Sequence, residues 1–190
     1  MLERIKKEFI ESVSVKEKCI SELPLLIESS VRLITEAFKA GNKLLIFGNG
    51  GSAADSQHIA GEFIGRFKKE RRSLPAIALT TDTSIITSLA NDYDYEIVFA
   101  RQIEGLGKKG DVAFGLSTSG NSKNVLKGLK KAKEMGLKTI GLLGCGGGTI
   151  AEVCDISIVV PSSSTPRVQE SQMTVYHIIC GLVEEEMFKK

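Results

Sequence analysis

Apolar residues at Leu2, Ile5, Phe9, Ile10 and Val13 recur at three- and four-residue steps, the stripe of an amphipathic helix over Leu2 to Ile20. A second helix is predicted from Pro24, where proline suits a first turn, to Ala40; Gly41-Asn42 then ends it, because both residues tolerate positive φ. Beyond this point the pattern alternates. Strand-like runs at Lys43 to Phe47, Pro75 to Leu79, Asp111 to Leu116, Lys138 to Leu143 and Asp155 to Val160 are separated by helical segments. Those helices are expected at Ser52 to Phe67, Ser84 to Ala90, Tyr95 to Leu106, Lys123 to Met135, Thr149 to Cys154 and Pro166 to Lys189. Short, nearly continuous apolar strands between helices imply a doubly wound, five-stranded parallel α/β sheet covered on both faces, preceded by two N-terminal helices. Those two helices carry more apolar surface than one sheet face needs, so residues 1–41 are expected to pack on the domain and on a partner subunit.

At 190 residues the chain fits a single domain, with no internal linker or repeat. Its 25 basic and 23 acidic side chains leave a net charge of +2, with lysine and arginine scattered in short clusters such as Lys68, Lys69, Arg71 and Arg72. Low aromatic content and the absence of tryptophan give no stacking platform for bases, so nucleic acid is not expected as a partner. Cys19, Cys145, Cys154 and Cys180 form no C-x-x-C pair and read as reduced, mostly buried thiols. The first residues lack the apolar core of a signal peptide and no run of about 18 apolar residues follows, so no membrane is expected and a cytoplasmic location is.

Two serine-glycine loops stand where such sheets bind ligands, beyond the carboxyl ends of strands and at the start of helices. In Gly48 to Ser52, the glycines permit close approach of backbone to an anion while Asn49 and Ser52 offer side-chain hydrogen bonds. In Ser117 to Ser122, four hydroxyls (Ser117, Thr118, Ser119, Ser122) fall within six residues, and Gly120 supplies the turn. Hydroxyls, backbone N–H groups and a helix N-terminus can hold a phosphate without a lysine. Serine and glycine also make turns and helix caps wherever they occur, but two such loops in one small domain favour a phosphorylated ligand. The first loop matches G-x-G-x-x-A as well. A dinucleotide site is disfavoured because the next strand ends at Thr80-Thr81-Asp82, over 30 residues from Gly48 rather than about 20.

The candidate chemistry lies beside these loops. His58 and Glu62 are four residues apart and share one helical face. Gln169 and His177 differ by eight, about 80° around the last helix, so both can face one crevice. His58-x-x-x-Glu62 alone could be a surface pair and His177 alone a structural histidine, yet these are the two histidines of the chain and each has polar company. The set suits either one divalent metal or proton transfer.

These residues resemble the phosphoheptose isomerases of the sugar isomerase (SIS) domain superfamily, whose fold is flavodoxin-like. The resemblance spans nearly the whole chain and is carried by G-N-G-G-S-A-A-D-S-Q-H-I-A-G-E at Gly48 to Glu62, Asn91-Asp92, S-T-S-G-N-S at Ser117 to Ser122, and Val168-Gln169-Glu170 with His177 beyond. It implies a substrate site lined by Asn49, Gly50, Gly51, Ser52, Asn91, Asp92, Ser117, Thr118, Ser119, Ser122 and Gln169, with Glu62 and His177 as the catalytic pair. It also implies zinc at His58, Glu62, Gln169 and His177, a homotetramer with sites between subunits, and heptose for cell-surface polysaccharide. Gln172 departs from the pattern, since many relatives carry a further histidine there. The reaction implied is ketose-aldose isomerisation of sedoheptulose 7-phosphate to D-glycero-D-manno-heptose 7-phosphate through an enediol. The rival readings are a six-carbon phosphosugar isomerase and a non-catalytic SIS protein that binds a phosphosugar or regulates a partner such as a replication initiator.

Overall fold

The computed structural model describes residues 1–189; Lys190, the last residue of the expected domain, lies outside them. Helices α1 (Leu2–Glu22) and α2 (Pro24–Lys39) precede strand β1 (Leu44–Phe47) and helix α3 (Gly51–Ile64). Strand β2 (Ala76–Ala78), helix α4 (Thr83–Asp92), a 3₁₀ turn (Tyr95–Ile97) and helix α5 (Val98–Leu106) follow. Then come β3 (Val112–Ser117), α6 (Lys123–Glu134), β4 (Lys138–Leu143), the short α7 (Gly148–Ala151), β5 (Ile156–Val159) and α8 (Thr165–Met187). All strand pairs are parallel, in the order β2-β1-β3-β4-β5. This is the expected doubly wound sheet.

Alternation along the central strands builds two cores. Leu44, Ile46, Val112, Phe114, Leu116, Ile140, Leu142 and Ile158 face α2, α3 and α8, while Leu45, Phe47, Ala113 and Leu143 face α5, α6 and α7. All four residues of β1 are fully buried. At about 1.5–3 kcal/mol for each large apolar side chain removed from water, β1 is a rigid base for the loop it carries. The Lys43 ammonium, 2.5 Å from the fully buried Asp111 carboxylate, ties the entry of β1 to that of β3.

Three boundaries differ from the sequence expectation for local reasons. The segment expected as one helix from Tyr95 to Leu106 begins with a 3₁₀ turn, because the Asp94 side chain accepts the Glu96 N–H and tightens the first turn. The helix expected over Thr149 to Cys154 is four residues long and follows a run of positive-φ glycines. Helix α3 stops at Ile64 rather than Phe67, capped by Gly65, which leaves Phe67 free to turn toward α8. The thiols also divide: Cys180 is buried, Cys19 and Cys154 are half-buried, and Cys145 is exposed rather than buried. Among the described residues, no helix is long and apolar enough to cross a membrane.

Candidate active site

The sheet order changes direction between β1 and β3, so their following loops diverge and leave a crevice at the carboxyl end. Both serine-glycine loops border it. At the β1 loop, Gly50 has φ +54° and ψ −122°, a conformation an L side chain rarely adopts, and Gly51 leaves room for the Gln169 amide where a Cβ would collide. The Asn49 and Asn124 amides exchange hydrogen bonds, each Nδ2 donating to the other's Oδ1 at 2.8 Å, and the Tyr95 hydroxyl donates to Asn49 Oδ1 at 3.1 Å. Asn49 thus fastens the first loop to α6 and to the turn after α4.

The β3 loop is built differently. Ser117 Oγ lies 3.0 Å from Ser122 Oγ and 3.4 Å from Ser119 Oγ, so three hydroxyls converge at the N-terminus of α6. Ser122 occupies the N-cap position without a side-chain cap bond, leaving its hydroxyl turned to its neighbours. Gly120, at φ +69°, packs against the backbone of Gly147 and Gly148, and its carbonyl accepts the Ile150 N–H at 3.0 Å. Converging hydroxyls at a helix N-terminus are the donors an anion would need. Nearby, Lys123 and Lys127 both bind the Glu96 carboxylate, whose hydrogen bonds to Lys127 and then Lys123 hold its pKa down to about 2.

The second group of residues sits on α3 and α8. His58 Nε2 is 3.0 Å from Glu62 Oε1 and 3.4 Å from His177 Nε2. On the far side of the His58 ring, Nδ1 lies 3.1 Å from the Tyr176 hydroxyl, which lies 3.3 Å from Asp55 Oδ1; Gln169 Nε2 donates to Asp55 Oδ2 at 2.9 Å. An ionised carboxylate only accepts, so the Tyr176 hydroxyl donates to Asp55 and accepts from His58 Nδ1–H. Burial, then the adjacent Asp55 charge, raises the Tyr176 pKa and keeps the phenol a donor. With Nδ1–H committed to Tyr176, Nε2 is the ring atom turned toward the carboxylate of Glu62. Acceptor against acceptor is repulsive, and the arrangement calls for a proton or a cation between them.

The donor set fits a cation. One ligand atom from each of His58, Glu62 and His177 lies within 4.8 Å of the other two. Tetrahedral zinc with bonds of about 2.0–2.1 Å separates its ligands by roughly 3.3 Å, close to the His58 spacings. Burial, followed by the proximity of His58, lowers the His177 pKa, which favours the neutral imidazole required of a ligand or proton shuttle. The Phe67 ring stacks on His177 at 5.7 Å and 25°. Gln169 shares with His177 a cleft of about 440 Å³.

Asn91 and Asp92 end α4, both exposed, with Asn91 Nδ2 donating to Asp92 Oδ1 at 2.9 Å. Asp82, at the position weighed for a ribose, instead caps α4 by accepting the Ile85 N–H at 2.9 Å. The departure at Gln172 falls against the sheet: the side chain is fully buried and its Nε2 donates to Leu142 O at 2.9 Å. Sequence reasoning missed Asp55, Tyr176 and Asn124. A polar residue three before His58 and a tyrosine beside His177 were the available signals for the first two.

The SIS domain family model matches residues 8–144. A phosphoheptose isomerase of Nitratiruptor sp. is 56% identical over 185 residues, covering 97% of this chain and 99% of that protein. The structure of phosphoheptose isomerase GmhA from Neisseria gonorrhoeae superposes with a TM-score of 0.93 at 38% identity, covering 97% of this chain and 98% of the other. A phosphoheptose isomerase structure from Francisella tularensis gives a TM-score of 0.94 at 32% identity, covering 97% and 98%. With likeness running along the full chain in sequence and in fold, the protein belongs to the SIS domain family and, within it, to the phosphoheptose isomerases.

Proposed function

We propose that the protein isomerises sedoheptulose 7-phosphate to D-glycero-D-manno-heptose 7-phosphate through an enediol. The observation that carries this reading is the meeting of His58, Glu62 and His177 on α3 and α8, with α3 rising directly from a phosphate-type loop. His58 stands seven residues from Gly51, about 10 Å along the α3 axis, so a sugar anchored by its phosphate at the loops extends its other end toward the cluster.

The phosphate is held by the hydroxyls of Ser117, Ser119 and Ser122 with the N-terminus of α6, and Thr118 completes that loop. Asn49, Gly50, Gly51, Ser52 and Gln169 line the opposite wall, and Asn91 and Asp92 stand at the outer rim. Glu62 takes the proton from C1 of the ketose, giving the enediolate, and neutral His177 takes the proton of the C1 hydroxyl and passes it to the C2 oxygen. Glu62 then returns its proton to C2, and the charge left on the C1 oxygen collapses to the aldehyde. His177 is suited to this transfer because its neutral form is favoured and can accept first. One divalent cation, zinc by family likeness, would be held by His58, Glu62 and His177, with Gln169 the fourth donor that likeness implies, and would polarise the carbonyl there. A carboxylate drawn strongly to a metal is a weaker base, so Glu62 would act as base only to the extent that the metal left its charge free.

The assembly expected is a homotetramer in the cytoplasm, with residues 1–190 acting as one SIS domain. Its support is the row of exposed apolar side chains on α1, including Leu2, Phe9 and Ile10 at 74%, 71% and 67% exposure, and the 41% exposure of the His58 side chain. A second subunit would cover both. The non-catalytic reading is disfavoured by the presence of both Glu62 and His177 and by full-length likeness to isomerases.

Proton NMR of the protein mixed with sedoheptulose 7-phosphate tests the assignment. Aldoheptose signals growing in, with fructose 6-phosphate left unchanged, are expected. Turnover of the six-carbon sugar in preference would move the substrate, and no turnover of either would overturn the reading.

A further inference from the structure

One buried ion pair stands outside the groups assigned above. Glu184 on α8 and Arg71, in the segment between α3 and β2, have side chains only 1% and 2% exposed, with Arg71 Nε 3.0 Å from Glu184 Oε1. The carboxylate also accepts the backbone N–H groups of Phe67, Lys68 and Lys69 at 3.1, 2.8 and 2.9 Å. The guanidinium binds carbonyls at the end of α3, Glu62 O at 2.7 Å through Nη2 and Phe63 O and Gly65 O at 2.8 and 2.9 Å through Nη1. A fully bonded buried pair of this kind fixes geometry because neither partner has an alternative to it.

Its contacts lead to both proposed catalytic residues. Arg71 grips the main-chain carbonyl of Glu62 itself. Glu184 folds residues 67–69 so that the Phe67 ring lies on His177. On α8, His177, Gly181 and Glu184 follow at four and then three residues, hence on one face. Gly181 is the gap in that face: a Cβ there would come within 3.3 Å of the Phe67 ring.

We propose that the Arg71–Glu184 pair is a positioning device that sets Glu62 on α3 against His177 on α8, acting through the Glu62 carbonyl and the Phe67 ring without touching substrate. It deepens the isomerase reading and rests on it for the kinetic arm of its test. Arg71→Lys keeps the charge but loses the fork that spans four backbone carbonyls, Arg72 O at 3.1 Å among them, and a carboxylate. Phe67→Leu keeps an apolar side chain and leaves the ion pair in place.

Three readouts separate positioning from folding: far-UV circular dichroism, zinc titration of metal-free protein against a competing chelator, and steady-state kinetics with sedoheptulose 7-phosphate. Both variants are expected to keep the parental spectrum and to bind zinc about 10–100-fold more weakly, as for other groups that orient ligands from behind. The kcat should fall by a similar factor with KM within about twofold, since the phosphate loops are untouched. Glu62→Gln should then cost less in kcat on the Arg71→Lys background than on the parent, because the two act through one position. Folded variants with parental zinc affinity and kcat, or fully additive losses, would overturn the proposal. If Arg71→Lys does not fold, Phe67→Leu decides alone, and a parental zinc affinity and kcat there would reject it. If the parent fails to turn over the heptose, the substrate reading falls while the zinc arm still judges the positioning claim.

Discussion

The two sides of the crevice differ in what they are made of. The β3 loop presents neutral hydroxyls on Ser117, Ser119 and Ser122, converging within 3.4 Å at a helix N-terminus. The α3/α8 side presents two imidazoles and a carboxylate, backed by Tyr176 and Asp55. Hydroxyls and backbone dipoles keep the same donors across the physiological pH range, because none of them titrates there. Imidazole and carboxylate change charge with pH and can carry protons. In the proposed reading anchoring and chemistry are thereby separated in space, and they should separate in kinetics as well.

The largest effect expected is on the chemical side. Glu62→Gln, nearly isosteric, should lower kcat by about 10²–10⁴-fold while leaving KM within a few-fold, measured by steady-state assay. On the anchoring side the pattern should invert: Ser119→Ala or Ser122→Ala removes a hydrogen bond to a charged group, about 1.5–3 kcal/mol, and should raise KM roughly 10–100-fold with a smaller change in kcat. Equal losses in both parameters for both sets would erase the distinction. A pH series sharpens it. With the His177 pKa held below the usual value near 6.5, neutral His177 dominates at pH 7. The rate should fall only as pH drops through that lowered value, and the serine variants should keep the same acid limb. By the same sign, the depressed pKa contributes stability that is fully present above about 6.5 and lost as pH falls through the folded value. The smallest effect belongs to the joint between the two sides. Tyr95→Phe deletes the bond to Asn49, worth about 0.5–1.5 kcal/mol, and should lower the melting temperature by about 2–4 °C per kcal/mol with kcat nearly unchanged.

Much of this crevice is legible in the sequence, and the reasons are local. Gly48 to Ser52 and Ser117 to Ser122 are contiguous, and their meaning depends on following a strand and preceding a helix, both of which apolar periodicity reveals. His58 and Glu62 are one turn apart, so the sequence itself carries their contact. What was not legible is long-range. The Asn49–Asn124 pair and the Arg71–Glu184 pair join positions 75 and 113 residues apart, and nothing in either neighbourhood names its partner. Phe67 was misread as helical because Gly65 can sit inside a helix as well as end one. Its stacking on His177 depends on that early stop. The glycine run at Cys145 to Gly148 likewise concealed how short α7 is, since positive φ at Gly146, Gly147 and Gly148 winds the chain tightly before the helix can extend.

Glu62 is proposed to carry one proton between C1 and C2 of the sugar. Proton NMR of sedoheptulose 7-phosphate turnover in D₂O, with the parent and with Glu62→Gln side by side, tests it directly. The account predicts aldoheptose from the parent with deuterium at C2, partial where the site shields the proton, and neither exchange at C1 nor product from the variant. Product formation by Glu62→Gln at the parental rate, or transfer of a C1 hydrogen that never exchanges and is insensitive to this substitution, would contradict it.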